Sequence, residues 1–221
     1  MDVLARLDET RGAISVLEHP FYQRWSAGEL SEQELGIYAG EYRHAVVALA
    51  QASALAAEKA GSGHAAGLRL HADEEAAHVE LWDEFARAAG AAPAGQAGPE
   101  RGLPETDECA QAWTAGEDLL DHLAVLYAIE ASQPEISRTK IEGLTAHYGY
   151  TEEGPAVEYF RLHELLDSEH ALQAGELIGE MMADVDDPEE KADRMVRCAS
   201  AALRGNWTLL DGVQAQAGTA A

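Results

Sequence analysis

An all-α fold, a bundle of about seven helices, is what the sequence predicts, on three observations. Apolar residues recur at the helical period of about 3.6 over most of the 221-residue chain. Clustered Val, Ile and Thr with alternating polarity, the mark of strands, are missing from it. Capping residues, glycines and prolines divide the periodic stretches into pieces of helical length.

The first helix is expected over about residues 2 to 17, closed by His19-Pro20 because the residue before a proline disfavours helical angles. Ser31, with Glu34 three residues on, reads as a capping box that opens a long helix from about 32 to 60, ended by Gly61-Ser62-Gly63. A third helix covers about 64 to 89. The stretch GAAPAGQAGPERGLP, residues 90 to 104, reads as a flexible connection inside one domain. Next come a helix over about 106 to 132 and another over 134 to 147, with Pro134 acceptable in its first turn. The last two, about 155 to 185 and 188 to 215, are divided at Asp186-Asp187-Pro188, and 216 to 221 read as a disordered tail.

Length and the 47% hydrophobic content suit one domain over 1 to 221 with a sizeable core. Fifteen basic against 40 acidic residues give a formal charge of −25, which repels nucleic acids and anionic membrane surfaces and equally describes a very soluble or halophilic surface. Two cysteines, Cys109 and Cys198, make no disulfide framework and have no nearby partner that would make either a nucleophile. The acidic, amphipathic start is unlike a signal peptide, and no apolar run reaches the roughly 20 residues of a membrane span, so a cytoplasmic location is expected. No glycine-rich phosphate loop follows a strand.

Two segments carry the candidate chemistry. HELLDSEH, residues 163 to 170, and HADEEAAH, residues 71 to 78, share one pattern at i, i+4 and i+7. Such positions fall on one face of a helix. His163, Asp167 and His170 therefore form one trio, and His71, Glu75 and His78 another. Imidazole with carboxylate suits iron, manganese or zinc, and two opposed trios can enclose two ions. Adjacent cations need anionic oxygens between them, and Glu130, in the apolar stretch AVLYAIEAS, is the candidate bridge; pairing with Arg138 or Lys140 is its structural alternative. Glu41-x-x-His44 is a third acid and histidine pair at helical spacing, of the kind ferritin-like proteins use, although the full ferritin pattern is incomplete. His19, His64, His122 and His147 read as capping or solvated residues.

Four stretches together, HPFYQRWSAGELS (19 to 31), HVELWDEFARAAG (78 to 90), YAIEASQPEISRTKIEGLTAHYG (127 to 149) and YFRLHELLDSEH (159 to 170), resemble the heme-oxygenase-like dimetal oxidases, relatives of the TenA and PqqC proteins, and within them the chlamydial para-aminobenzoate-forming branch. The resemblance implies a seven-helix heme-oxygenase-like bundle, an Fe/Fe or Mn/Fe site that activates O2 with an external reductant, and a homodimer. Residue by residue it carries over His78, Glu130, His163, Asp167 and His170 as ligands. The acid on the first of these helices falls on Glu75, with Glu74 as alternative and with His71 standing where close relatives have glutamate; Glu41 is placed for an extra carboxylate. It further implies that para-aminobenzoate, a folate precursor, is made from one of the chain's own tyrosines with an internal lysine as nitrogen source. Tyr22, Tyr38, Tyr159 and Lys140 match those positions, whereas Ile129 replaces a family tyrosine. The bland alternatives are core packing for the tyrosines and, for Lys140, pairing with an acid such as Glu135 or simple solvation. An oxidase of an external amino acid or fatty acid, and a non-catalytic metal-binding or interaction protein, are the other readings.

Overall fold

The structure, a computed structural model, describes residues 2–91 and 102–219. Nine α-helical segments are present among them: α1 Val3–Ala13, α2 Pro20–Ala27, α3 Glu32–Lys59, α4 Ala65–Ala88, α5 Pro104–Thr114, α6 Leu119–Glu130, α7 Gln133–His147, α8 Glu158–Met182 and α9 Pro188–Thr219. Most of the expected connection at 90 to 104 lies outside the described residues. None of the described helices is long and apolar enough to cross a membrane.

The all-helical class is as predicted, and the segmentation differs at three places. The first helix stops at Ala13, and Pro20 opens α2 instead of merely ending what precedes it. At the first helical position a proline gives up no hydrogen bond that the helix needs. His19 caps that helix, its Nδ1 accepting from the Phe21 amide at 3.0 Å, while its Nε2 lies 3.1 Å from Asp211 on α9. The stretch expected as one helix from 106 to 132 is two, because Asp118 turns the chain and accepts from the Asp121 amide at 3.2 Å to start α6. The supposed tail is helical as far as Thr219; residues 220 and 221 lie outside the described part.

The 28-residue helix α3 runs against α4, α5 and α9, while α8 packs on α6 and α7 and α9 covers α5 and α6. Its expected capping box is present, with Ser31 and Glu34 bonded reciprocally. Three indoles tie helices together through backbone carbonyls: Trp82 Nε1 donates to Ala39 O at 2.8 Å, Trp25 to Lys140 O at 3.2 Å, and Trp113 to Ala202 O at 3.0 Å. These bonds satisfy the polar edge of three buried rings and fix α4 on α3, α7 on α2 and α9 on α5. Gly143 lets Trp25 approach, since a Cβ there would stand 2.5 Å from the Trp25 Cδ1. On the far side of α6 the buried Asp121 binds Lys191 at 2.7 Å and also Arg194, which lowers its pKa to about 2 despite burial. His122 departs from the solvated reading. It is buried, with its ring filling the space over Gly116.

Candidate metal centre

Helix spacing does the first part of the work. The i, i+4, i+7 trios of α4 and α8 turn inward and face each other, and the last residue of α6, Glu130, closes the gap between them. His71, Glu75, His78, Glu130, His163, Asp167 and His170 are all buried. Two groups of donor atoms result, His71 with Glu75 and His170, and Glu75 with His78 and His163, each with its atoms within 4.8 Å of one another. Glu75 belongs to both. Its Oε1 lies 3.1 Å from His78 Nδ1 and its Oε2 lies 3.9 Å from His163 Nε2. Glu130 Oε1 stands 3.0 Å from His71 Nε2, and Asp167 Oδ1 3.9 Å from His170 Nδ1.

These atoms are close without being aligned as hydrogen bonds. His71 Nε2, Glu75 Oε1, His78 Nδ1, both oxygens of Glu130 and of Asp167, His163 Nε2 and His170 Nδ1 are buried with no hydrogen-bond partner. So many unsatisfied polar atoms converging in one place are costly to fold unless cations satisfy them. The electrostatics agree. Burial, with the charges of Glu130 and Glu75, pushes the Asp167 carboxyl well above its ordinary value. Burial likewise raises Glu130 against the opposing pull of His71. Glu75 is buried too, yet His163 and His78 hold it below the ordinary carboxylate range. Three carboxylates cannot all ionise here unless positive charge joins them. The donor set of imidazoles and carboxylates therefore fits first-row metal ions, and Glu75 is common to both groups of donors.

Orientation comes from the residues behind the ligands. His163 Nδ1 donates to the Tyr159 carbonyl at 2.7 Å, which orients the ring so that Nε2 points toward the centre. The Tyr159 ring stacks on the same imidazole with centroids 4.0 Å apart.

Of the expected ligands, Glu41 alone is not brought to this place. Its Oε2 accepts from the Leu103 amide at 2.9 Å and from Thr106 Oγ1 at 2.6 Å, so it caps α5 instead. One helical face cannot serve both neighbours of α3, and the side of Glu41 faces α5. Both His71 and Glu75 point inward, whereas Glu74 sits half-exposed and reaches His170 Nε2 from outside at 3.3 Å.

Next to the centre lies an aromatic chamber around Lys140. The lysine is 1% exposed, and its Nζ stands 4.8 Å from the Tyr42 ring centroid, 5.2 Å from Phe160, 5.3 Å from Tyr22, 5.6 Å from Tyr38 and 6.0 Å from Trp82. No Glu135 pairing or solvation of this ammonium is seen. Burial pushes its pKa down to about 7. Tyr22 and Tyr38 share a 3.0 Å hydrogen bond between their hydroxyls, and burial raises the pKa of both. Tyr159 connects chamber and centre, packing edge-on against Trp82 at 4.9 Å while it stacks on His163. Tyr42, Trp82 and Phe160 were not singled out from the sequence. Helical spacing carried the signal: Tyr42 is one turn after Tyr38, and Trp82 one turn after His78.

A buried cluster of histidines and carboxylates enclosed by an all-helical bundle is the donor set of a metal-binding protein. Residues 70–207 match the family described as iron-containing redox enzymes, and the chain belongs to that family of oxidoreductases. It is 32% identical over 223 residues to a 4-aminobenzoate synthase of Chlamydia trachomatis, covering 96% of this chain and 91% of that one. Among solved structures, a domain with a heme oxygenase-like fold from Shewanella denitrificans superposes with a TM-score of 0.78 at 19% identity, covering 99% of this chain and 94% of the other. A TenA homologue from Pseudomonas syringae gives 0.80 at 17%, covering 96% and 90%. At those identities the two structures speak for the fold alone.

Proposed function

We propose that this chain forms 4-aminobenzoate from its own residues, the ring coming from a tyrosine of the chamber and the nitrogen from Lys140. The single observation that carries the reading is Lys140 itself, an amine buried among three tyrosine rings beside a candidate metal centre. Its likeness in sequence to proteins named 4-aminobenzoate synthase supports the same assignment. A tyrosine ring with its Cβ contains the seven carbons of the product: the Cα–Cβ bond breaks, Cβ is oxidised to the carboxylate at the expense of O2, and the para oxygen gives way to Lys140 Nζ, whose bond to Cε breaks. With a pKa near 7, Lys140 holds a large fraction of neutral, nucleophilic amine at neutral pH, which an exposed lysine does not.

Seven residues would hold the metal pair: His71, Glu75, His78, Glu130, His163, Asp167 and His170. Two bound first-row ions, Fe/Fe or Mn/Fe, would supply oxidising power from O2 with electrons from an external reductant. The chain's own residues do the rest. The chamber walls Trp82 and Phe160 exclude water and hold the Lys140 Nζ beside the rings. The Tyr22 and Tyr38 hydroxyls hold each other, so the proton of one has a neighbour to pass to. Tyr22 is our choice for the consumed ring. The experiment is isotopic: protein made with lysine carrying heavy nitrogen should yield labelled 4-aminobenzoate, and Lys140→Arg should yield none. Product that takes its nitrogen from an added amine would refute the assignment.

A further inference from the structure

Five of the seven donors of the metal centre are sealed inside the bundle, and the other two are not. His71, 9% exposed, and His170, 7% exposed, line a cavity of about 290 Å³ between α4, α6 and α8, to which none of the other five donors contributes. Their rings lie 4.2 Å apart, and His71 Nε2 and His170 Nδ1 lack hydrogen-bond partners although both residues are nine-tenths buried. The cavity has two unlike walls. One is leucine, from Leu68, Leu123, Leu126 and Leu177. The other is polar and acidic, with Glu176 and Glu180 on α8. At the rim His64 Nε2 stands 3.6 Å from Glu180 Oε1, joining the start of α4 to α8.

We propose that this cavity is the port through which divalent metal ions pass between solvent and the centre. Glu176 and Glu180 collect the ion at the rim, and His71 and His170 receive it. The proposal rests on the His/carboxylate centre described above. A chain of net charge −25 draws cations toward its surface, and carboxylates at the mouth of a cleft concentrate them locally. The leucine wall offers no donors, so beyond the rim the next ligands an ion meets are the two imidazoles, with Glu74 Oε2 beside His170 Nε2 at 3.3 Å. None of the other five donors lines this cavity, so from it they are reached past that pair.

Gly67 supplies the test. It lines the cavity one turn before His71, and a Cβ placed there meets nothing within 4 Å, so the backbone at this point accepts a side chain and Gly67→Phe adds a ring at the port. Co(II) uptake by metal-free protein is followed by stopped-flow absorption. Gly67→Phe should bind as many ions as the parent chain and load them about tenfold more slowly or worse, and the double variant Glu176→Gln, Glu180→Gln should load several-fold more slowly at low salt. Parent-like loading in Gly67→Phe overturns the port. Should that variant fail the far-UV circular dichroism check of folding, the rim variant decides, since both its side chains are exposed and an unchanged rate there overturns the proposal. Failure of the parent chain to take up any Co(II) would remove the metal centre itself, and the port with it.

Discussion

Tyr159 holds His163 in two ways, through a 2.7 Å hydrogen bond from the imidazole Nδ1 to its backbone carbonyl and through a ring stack at 4.0 Å. The carbonyl holds the Nδ1–H and the ring sets the plane, so a residue outside the donor set decides where Nε2 points. Tyr159→Phe retains both contacts and should bind metal like the parent chain. Tyr159→Ala loses the stack and should bind about tenfold more weakly, the lower end of what such supporting residues contribute. Equal affinity of the two variants in a competition titration would show that the ring plays no part.

Metal affinity should rise with pH. Asp167 and Glu130 are raised above their ordinary values, chiefly by burial, so the folded metal-free chain keeps protons that the unfolded chain gives up at about pH 4. The metal-free protein therefore loses stability from these two groups as pH rises from there through their folded values, while the lowered Glu75 adds stability that is lost as pH falls. A metal ion needs the carboxylates charged and must displace those protons. Calorimetric titration with Mn(II) in buffers of different ionisation enthalpy should show net proton release, and zero release would contradict these protonation states.

Replacing Lys140 should stabilise the protein while ending its proposed chemistry. The lysine titrates at about 7 in the folded chain against 10.5 ordinarily, so between those values only the unfolded chain binds the proton. Stability from this group rises with pH by about 1.4 kcal/mol per pH unit across that window, and below it the burial penalty is felt in full. Lys140→Met removes the penalty. Its advantage over the parent chain should be level below about pH 7 and shrink steadily above it. Denaturant titrations across that range measure the difference, and a gap independent of pH would mean that the amine is not desolvated.

Glu41→Ala should leave metal content unchanged and weaken the attachment of α5. The variant loses the bonds to the Leu103 amide and Thr106 Oγ1, at a cost of about 1 to 3 kcal/mol. Elemental analysis and denaturation separate the two effects. The loss of one ion per chain would restore Glu41 to the coordination sphere.

Much of the centre was legible because a helix turns sequence spacing into a face. His163, Asp167 and His170 are placed together by α8 alone, and His71, Glu75 and His78 by α4 alone. Glu130 was legible for a different reason, as a carboxylate in an apolar helix that needs a partner somewhere. Pro20 misled because the same proline is both a poor continuation and a good first residue of a helix, and only the neighbouring contacts choose between them.

What the sequence determined by itself is the helical class and the composition of each ligand face, since both follow from local periodicity. Tertiary structure decided what depends on which faces meet. It turned Glu41 toward α5, kept Glu74 on the rim while Glu75 went inside, and gathered Tyr22, Tyr38, Tyr42, Trp82 and Phe160 from α2, α3, α4 and α8 around a lysine of α7. No spacing within one helix encodes those meetings. They depend on the packing of helix against helix, and through burial that packing also lowers the pKa of Lys140 and raises that of Asp167.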